Sequence, residues 1–356
     1  MNQSTADVVI TGAGIIGASI AWRLAQQRLG VTLLDAGQAG TEASWASAGM
    51  LAPGGEVARR STWSDLAVEA SRRYPAFLAE LGSEAGIPLL YHGCGAVEIA
   101  LTEDECQAML ERAAVQREMG IPVEAIGAQG LARLIPSAAQ PVAGAWFYPG
   151  DAVIDPREVM RALEAACRER GVCLHEGSGV SRIDASRDGV TVTAGSRRIM
   201  ARASVLAAGA WSSTIPCFRE GEPCSLPQTY PVRGILLGYQ MQPGSLGPVL
   251  RHHHTYMLQR PNGYTLAGTT VEQVGFNRRI DPEGIRDVAG RAAALWPPLA
   301  AAGEPEAWLG FRPGADAPVI QRLAESRLWL AYGHFRNGIL LAPVTAARIA
   351  QEISAS

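Results

Sequence analysis

The sequence predicts an α/β protein of two domains, one built on a parallel sheet and the other mainly on β-strands. Two observations carry this prediction. The first 35 residues have the pattern strand, glycine-rich turn, helix and strand, and the stretch 230–271 is almost entirely β in pattern. A length of 356 residues allows two or three domains at roughly 100–200 residues each.

The amino-terminal pattern is a complete βαβ unit. Residues 7–11 are a short, mostly β-branched run, which predicts a buried strand. The run GAGIIG at 12–17 follows at once, and apolar residues at helical spacing then predict a helix over 18–27. A second buried strand is predicted at 31–35. This order of elements favours a Rossmann-type nucleotide-binding domain.

Each glycine of that run has a distinct predicted role. Gly12 permits the tight turn, Gly14 lets the backbone approach a pyrophosphate, and Gly17 lets the helix pack closely on the strand. Asp35 ends the second strand, 18 residues after Gly17, and would accept hydrogen bonds from ribose hydroxyls.

The following segment favours FAD over NAD. Residues 43–53, ASWASAGMLAP, are mostly small and apolar, so their backbone could lie against a flat flavin ring. An NAD-dependent dehydrogenase remains an alternative, and its purified form would be colourless instead of yellow. A flavin-binding sensor without catalytic activity is a second alternative.

The remaining elements are predicted from apolar periodicity and from turn residues. Helices are predicted at 64–81, 103–119, 157–170 and 338–353, with short strands between 89 and 101. Further strands are predicted at 172–175, 180–183, 190–193 and 203–207.

Composition excludes several function classes. The formal net charge is −3, which argues against a nucleic-acid or anionic-membrane partner, since both require a basic surface. All 31 basic residues are arginine, and the sequence has no lysine. Chemistry that needs a lysine amine, such as a Schiff base or a Walker P-loop, is therefore excluded.

The cysteine pattern and the hydropathy predict a cytoplasmic protein. The six cysteines include no CxxC pair, the amino terminus has no cationic segment of the signal-peptide type, and no apolar run reaches about 18 residues. We therefore expect a protein that neither spans nor binds a membrane.

Four blocks carry a resemblance to a known family. These are GAGIIG at 12–17, SWASAGMLAP at 44–53, VLAAGAWS at 205–212 and GHFRNGILLAP at 333–343. Together they resemble the D-amino-acid oxidase family of FAD enzymes, and within it the branch that acts on glycine. The blocks keep the family order along nearly the whole chain. Asp35 stands where the family more often has Glu.

The resemblance implies a set of substrate-facing residues. Arginine suits a carboxylate receptor because its planar fork pairs with both oxygens. By resemblance, Arg312 forms the carboxylate salt bridge and Arg336 is a second substrate contact. His254 and Tyr256 face the substrate, and Met50 lies above the ring and limits the room for a substrate side chain.

The resemblance also implies a non-covalent FAD site built from separate segments of the chain. Its predicted residues are Gly12, Gly14, Ile15, Ile16, Gly17, Asp35, Ala36, Ala43, Ser44, Ala48, Gly49, Met50, Val180, Gly209, Trp211, His334, Phe335, Arg336, Asn337, Gly338, Ile339 and Leu340.

The histidine run at 252–254 is not predicted to bind a metal ion. If it lies on a strand, His252 and His254 share one face and His253 takes the other. No HxxxE spacing and no cysteine partner lie nearby in sequence, so the run lacks a recognisable set of ligands.

The resulting prediction joins a Rossmann-type FAD domain to a mostly antiparallel substrate domain. The first comprises 1–86, 146–214 and 306–356, and the second comprises 87–145 and 215–305, with the ligand between them. The implied activity is oxidative deamination of glycine, sarcosine or small D-amino acids by dioxygen, giving hydrogen peroxide and supplying an imine for thiamine synthesis. An amino-acid dehydrogenase that uses another electron acceptor has the same motifs. Relatives suggest a tetramer.

Overall fold

A computed structural model describes residues 2–55, 57 and 59–356 of the chain. The strands among these residues are β1 Asn2–Thr11, β2 Val31–Leu34, β3 Met50–Leu51, β4 Ala96–Ala100, β5 Glu124–Ala125, β6 Gly144–Tyr148, β7 Ala152–Val153, β8 Cys173–His175, β9 Val180–Ala185, β10 Val190–Ala194, β11 Arg197–Leu206, β12 Cys217–Arg219, β13 Glu222–Pro223, β14 Tyr230–Gln240, β15 Val249–His252, β16 Thr255–Gln259, β17 Tyr264–Gly268, β18 Glu306–Gly314, β19 Val319–Arg322 and β20 Leu328–Tyr332. The α-helices are α1 Ile15–Gln26, α2 Ala43–Ala46, α3 Thr62–Ala85, α4 Glu103–Glu118, α5 Gly127–Leu134, α6 Pro156–Glu169, α7 Pro282–Leu295 and α8 Gly338–Ser354.

The first sheet contains a parallel core in the order β8-β2-β1-β11-β20. Strands β1 and β2 are buried runs of the kind that parallel sheets require, because helices cover such sheets. Beside this core, β10 pairs antiparallel with β9 on one side and with the first half of β11 on the other. The βαβ unit predicted from the first 35 residues is confirmed.

Four helices form an apolar layer with the parallel core. Buried residues of α1, α3, α6 and α8 pack in one cluster that also contains Ile10 and Val205 of the central strands. Helix α3 begins after a reciprocal cap between Ser61 and Ser64. Its C-cap is Gly86, whose φ of 65° lies in the left-handed region. No helix in the described part of the chain is both long and apolar enough to cross a membrane.

The second sheet has the order β18-β14-β17-β16-β15-β4-β6-β5. Every neighbouring pair in it is antiparallel except β15 with β4. Helices α5 and α7 contribute to its apolar core, where Trp296 is fully buried. The mainly β character expected for 230–271 is confirmed.

Sheet membership departs from the predicted domain ranges at three places. Residues 306–314 and 144–148 belong wholly to the second sheet, whereas 217–223 extend the first sheet through β12 and β13. A strand has the same period of two in either sheet. The residues of a strand therefore do not reveal which neighbour it pairs with.

The histidine run does not lie on a single strand, so the condition under which His252 and His254 would share a face is not met. Strand β15 ends at His252, which pairs with Thr255, and residues 253–254 form a two-residue hairpin loop. His253 has a φ of 50°, because tight hairpin loops favour a left-handed residue.

Candidate active site

A cavity of about 620 Å³ lies between the two sheets. Its wall is formed by the glycine-rich loop, by residues 40–55, by strands of the second sheet and by the turn before α8. The volume is within the range of roughly 300–1,000 Å³ that is usual for ligand pockets.

The glycine-rich loop closes one end of this cavity. Gly12 has a φ of 99°, and a Cβ there would lie 2.7 Å from the carbonyl carbon of Ala207. A Cβ on Gly17 would overlap the Gly12 carbonyl, so helix and loop pack in direct contact. Helix α1 has Gly14 as its N-cap, with no side-chain cap and no acidic residue in its first turn. The positive end of the helix dipole is thus available to an anion.

Asp35 and Ser44 hold this loop in place. Asp35 Oδ2 accepts from the Ala13 N–H at 2.7 Å, and Oδ1 accepts from the Gly37 N–H at 2.8 Å. Burial raises the pKa of Asp35, and these two N–H groups oppose that rise. Ser44 Oγ accepts from the Ile15 N–H at 2.9 Å. Each Asp35 oxygen has a second lone pair, which a ribose hydroxyl could use.

The small-residue loop is clamped against the second sheet. Trp308 Nε1 donates to the Ala46 carbonyl at 3.0 Å. A Cβ on Gly310 would lie 2.6 Å from the Ala46 Cβ, so only glycine at 310 permits this approach. Met50 pairs with Val153 in the short ribbon of β3 and β7 and lies in the cavity wall.

Arg312 lies on β18 with its guanidinium held by the neighbouring strand and loop. Nη2 donates to the Thr269 hydroxyl at 2.7 Å, and Nη1 donates to the Thr270 carbonyl at 3.2 Å. The Thr269 hydroxyl in turn donates to the Ile235 carbonyl at 3.0 Å. A Cβ on Gly234 would lie 2.5 Å from Arg312 Cζ, so the guanidinium rests on bare backbone.

Tyr256 of β16 also contacts bare backbone, at Gly268 of the neighbouring strand β17. A Cβ on Gly268 would lie 2.5 Å from the Tyr256 hydroxyl oxygen. Burial raises the pKa of Tyr256, and the positive charges of Arg312 and Arg336 oppose that rise. The phenol therefore remains protonated at neutral pH and lies within electrostatic reach of two guanidinium groups.

The turn before α8 brings Arg336 to the cavity. Phe335 has a φ of 47°, an uncommon conformation for an aromatic residue and one that occurs at functional sites. Arg336 Nη1 lies 3.4 Å from His254 Nδ1. His334 is buried, its Nε2 lies 3.1 Å from Thr345 Oγ1, and burial lowers its pKa to about 4. Its imidazole is therefore neutral at physiological pH.

Most of the predicted site residues meet in this one wall. The predicted residues outside it are Gly17, which packs against Gly12, Leu340, which lies in the helix core, and His254, which contacts Arg336. Those within it are Gly12, Gly14, Ile15, Ile16, Asp35, Ala36, Ala43, Ser44, Ala48, Gly49, Met50, Val180, Gly209, Trp211, Tyr256, Arg312, His334, Phe335, Arg336, Asn337, Gly338 and Ile339. Their chemical roles remain predictions.

Sequence reasoning missed two arginines of the wall and the acidic residues that pair with them. Arg251 is buried between Glu98 at 3.1 Å and Asp151 at 2.7 Å, and Arg278 forms an ion pair with Glu42. Neither arginine lies in a glycine-rich motif, so neither had a sequence signal that marks it as part of a site. Gly234 and Gly268 did have one, since glycine inside a strand indicates close approach of another group.

The comparisons with known proteins agree on one family. The model described as "DAO: FAD dependent oxidoreductase" matches residues 7–352. The glycine oxidase of Bacillus licheniformis is 31% identical over 351 residues, covering 98% of this chain and 92% of the relative. The bifunctional protein ThiO/ThiG of a Synechocystis species is 34% identical over 363 residues, and the chain spans 52% of its length.

The fold is also that of a solved relative. The crystal structure of glycine oxidase from Geobacillus kaustophilus superposes with a TM-score of 0.92 at 29% identity. The match covers 99% of this chain and 95% of that one. The helix N-terminus at Gly14, the glycine contacts and the carboxylate at 35 fit a dinucleotide of FAD size in the cavity.

Proposed function

The chain belongs to the FAD-dependent oxidoreductase family, and from that premise we propose that it oxidises glycine and other small amino acids with dioxygen as electron acceptor. The observation that carries this proposal is the meeting of Arg312, Arg336 and Tyr256 in one cavity whose other end is the nucleotide loop. A protein that only binds a nucleotide has no need of two guanidinium groups there.

The substrate carboxylate is received by Arg312 in this proposal. The contacts of its guanidinium with Thr269, Thr270 and Gly234 fix its orientation before a substrate arrives. A pre-oriented planar fork binds a carboxylate with little loss of side-chain entropy. Arg336 adds a second positive charge, and the Tyr256 hydroxyl donates a hydrogen bond to the same carboxylate.

The remaining chemistry needs orientation more than a strong base. When bound, FAD supplies the acceptor for the hydride that leaves the substrate Cα. Holding the carboxylate fixes where the Cα–H bond points. This orientation of the reacting groups lowers the activation barrier. A substrate amine that binds neutral requires no side-chain base, and His334 stays neutral at the operating pH.

Helix α8, which follows the turn that carries Arg336, assists in this proposal. It begins at Gly338, has no side-chain cap from Asn337 and has no acidic residue in its first turn. Residues 334–339 line the cavity, so the positive end of the helix dipole lies beside the ligand. That end would stabilise negative charge as the cofactor accepts electrons.

The proposed products follow from the substrate class. Oxidation of glycine gives an imine, which water converts to glyoxylate and ammonia, while dioxygen is reduced to hydrogen peroxide. Similarity to a protein named ThiO/ThiG supports a further proposal, that the imine feeds thiamine synthesis. Met50 in the cavity wall limits the room for a side chain, which favours glycine, sarcosine and D-alanine.

The test is an anaerobic titration of the purified yellow protein with glycine, sarcosine and D-alanine in turn. We expect at least one of them to bleach the visible flavin bands, and an anionic absorbance spectrum of the reduced form. Under air, one peroxide should form for each amine consumed. Bleaching without peroxide would identify the protein as a dehydrogenase that uses another electron acceptor. The absence of bleaching by all three compounds would refute the proposal.

We also propose that the chain works in the cytoplasm as a homo-oligomer, a tetramer by resemblance. Light scattering of the holoenzyme measures its mass, and a monomeric mass would refute that assembly.

A further inference from the structure

One cluster of metal-binding residue types lies outside the proposed chemistry. Glu105 of α4 meets His252 and His253 at the hairpin between β15 and β16. His253 Nε2 lies 2.7 Å from Glu105 Oε1, and His252 Nε2 lies 3.1 Å from Oε2 and 3.3 Å from Oε1. One potential ligand atom from each of the three residues lies within 4.8 Å of the others.

The fold supplies the histidine run with an acidic partner that the local sequence does not contain. The histidine run has no acidic or cysteine partner at ligand spacing in the sequence, and the fold brings one from 147 residues away. Two backbone features present the ligands. The left-handed φ of 50° at His253 turns the hairpin, and the first turn of α4 presents Glu105 to it.

The distances suit a shared ion. Zinc binds imidazole nitrogen and carboxylate oxygen at about 2.0–2.2 Å, which places two donors of one tetrahedral ion about 3.3 Å apart. His252 Nε2 lies 3.1 and 3.3 Å from the two Glu105 oxygens, which matches this spacing. His253 Nε2 lies 2.7 Å from Oε1, the length of a direct hydrogen bond, and moves outward to share the ion. From this geometry we infer that Glu105, His252 and His253 form a binding site for a divalent ion of the zinc type.

The ligand types select the class of ion. Imidazole and carboxylate together suit Zn²⁺ and its neighbours among the transition metals, whereas Mg²⁺ and Ca²⁺ prefer oxygen donors throughout. His252 is half-buried, and the side chain of His253 is 63% exposed, so an ion reaches the site from solvent and water completes its coordination. Glu105 Oε2 also accepts from the Leu101 N–H at 2.7 Å, a contact that orients the carboxylate.

The site has a structural consequence for the cavity. The same hairpin continues into His254, which contacts Arg336, and then into Tyr256. An ion held by Glu105 would tie α4 to this hairpin and brace the strand that carries Tyr256. The inference does not depend on which substrate the cavity accepts.

The test is a zinc titration of the holoenzyme, cleared of metal by a chelator and measured by competition with a chromophoric chelator. We expect one equivalent to bind at this site. His253→Ala and Glu105→Gln should each lower the affinity at least about tenfold, because each removes a ligand or its charge. Glutamine keeps an oxygen for the Leu101 N–H, so that contact survives.

The matched control is His175→Ala. His175 is another accessible histidine, and its Nε2 lies 3.3 Å from the Cys173 sulfur, so this pair is a competing zinc ligand set. Binding that survives His175→Ala and is lost in His253→Ala supports the inference. Binding lost only in His175→Ala, or equal in all variants, overturns it. Circular dichroism of each variant shows that the fold is intact.

Discussion

The guanidinium group of Arg312 lies directly on the backbone of Gly234, at a place where a Cβ would come within 2.5 Å of Cζ. Arg312 pairs across the strands with Val232, and Gly234 is two residues further along the same face. The site thus depends on a missing side chain in β14 as much as on the arginine itself.

Gly234→Ala tests this dependence. The added methyl group should push the guanidinium out of position and lower kcat/KM for glycine on the order of 10²-fold, since misplacement of about 1 Å has that effect. Gly290→Ala is the control, because a Cβ there meets nothing within 4 Å. Equal kinetics in the two variants would show that the bare backbone at Gly234 does not position Arg312.

Thr269→Val removes one hydroxyl contact of Arg312 while keeping the shape of the side chain. A hydrogen bond to a charged group contributes roughly 1.5–3 kcal/mol, so we expect KM for glycine to rise at least about tenfold. Thr269→Ser restores the hydroxyl and should recover most of the affinity. A serine variant no better than valine would show that packing, and not the hydroxyl, matters at 269.

Arg312→Ala tests the receptor itself. Loss of the guanidinium leaves the substrate carboxylate with a weaker partner, and we expect KM for glycine to rise at least about 10²-fold. Steady-state kinetics at fixed dioxygen measure it. An unchanged KM would remove Arg312 from the substrate site.

His334 predicts a pH dependence of stability. Burial lowers its pKa to about 4, so between pH 6.5 and 4 the unfolded chain binds a proton that the folded chain does not. Stability is therefore lost as the pH falls through this window, by about 2 kcal/mol at pH 5. Urea unfolding of the wild type and of His334→Gln at pH 7.5 and 5 measures the difference. We expect the variant to lose about 2 kcal/mol less on acidification, and equal losses would contradict this assignment.

Asp35→Ala tests the cofactor loop. The change leaves the N–H groups of Ala13 and Gly37 without their acceptor, so the loop should loosen and FAD should bind roughly 10–100-fold more weakly. Reconstitution of the apoprotein, followed by flavin fluorescence, measures the affinity. Asp35→Glu keeps the carboxylate and should bind more tightly than the alanine variant.

Much of the fold could be predicted because its signals are local. The run at 12–17 follows a buried strand and opens a helix, and the helices at 103–118 and 156–169 begin and end within two residues of their predicted bounds. Sheet membership could not be predicted, because 306–314 and 319–322 look alike as strands yet pair in different sheets.

Some residues of the candidate site could likewise be predicted from the sequence, and others could not. Arg312 and Arg336 stand out in the sequence because glycine or proline lies within two residues of each and because the family resemblance implies a role for both. Arg251 and Glu105 have no glycine or proline that close, and Thr269 follows Gly268, but the resemblance implies no role for any of the three. Their partners come from strands and helices that are remote in sequence, so only the pairing of those elements brings the contacts about.

The sequence alone determined that a nucleotide loop opens the chain, that lysine chemistry is absent and that any long cationic side chain in the site is an arginine. Only the tertiary structure decided that Gly234 makes room for Arg312 and that Glu105 reaches the histidine run. The physical reason is the distance along the chain over which each kind of interaction acts. Turn and helix signals depend on residues a few positions apart, whereas a side-chain contact depends on where the whole chain places two distant segments.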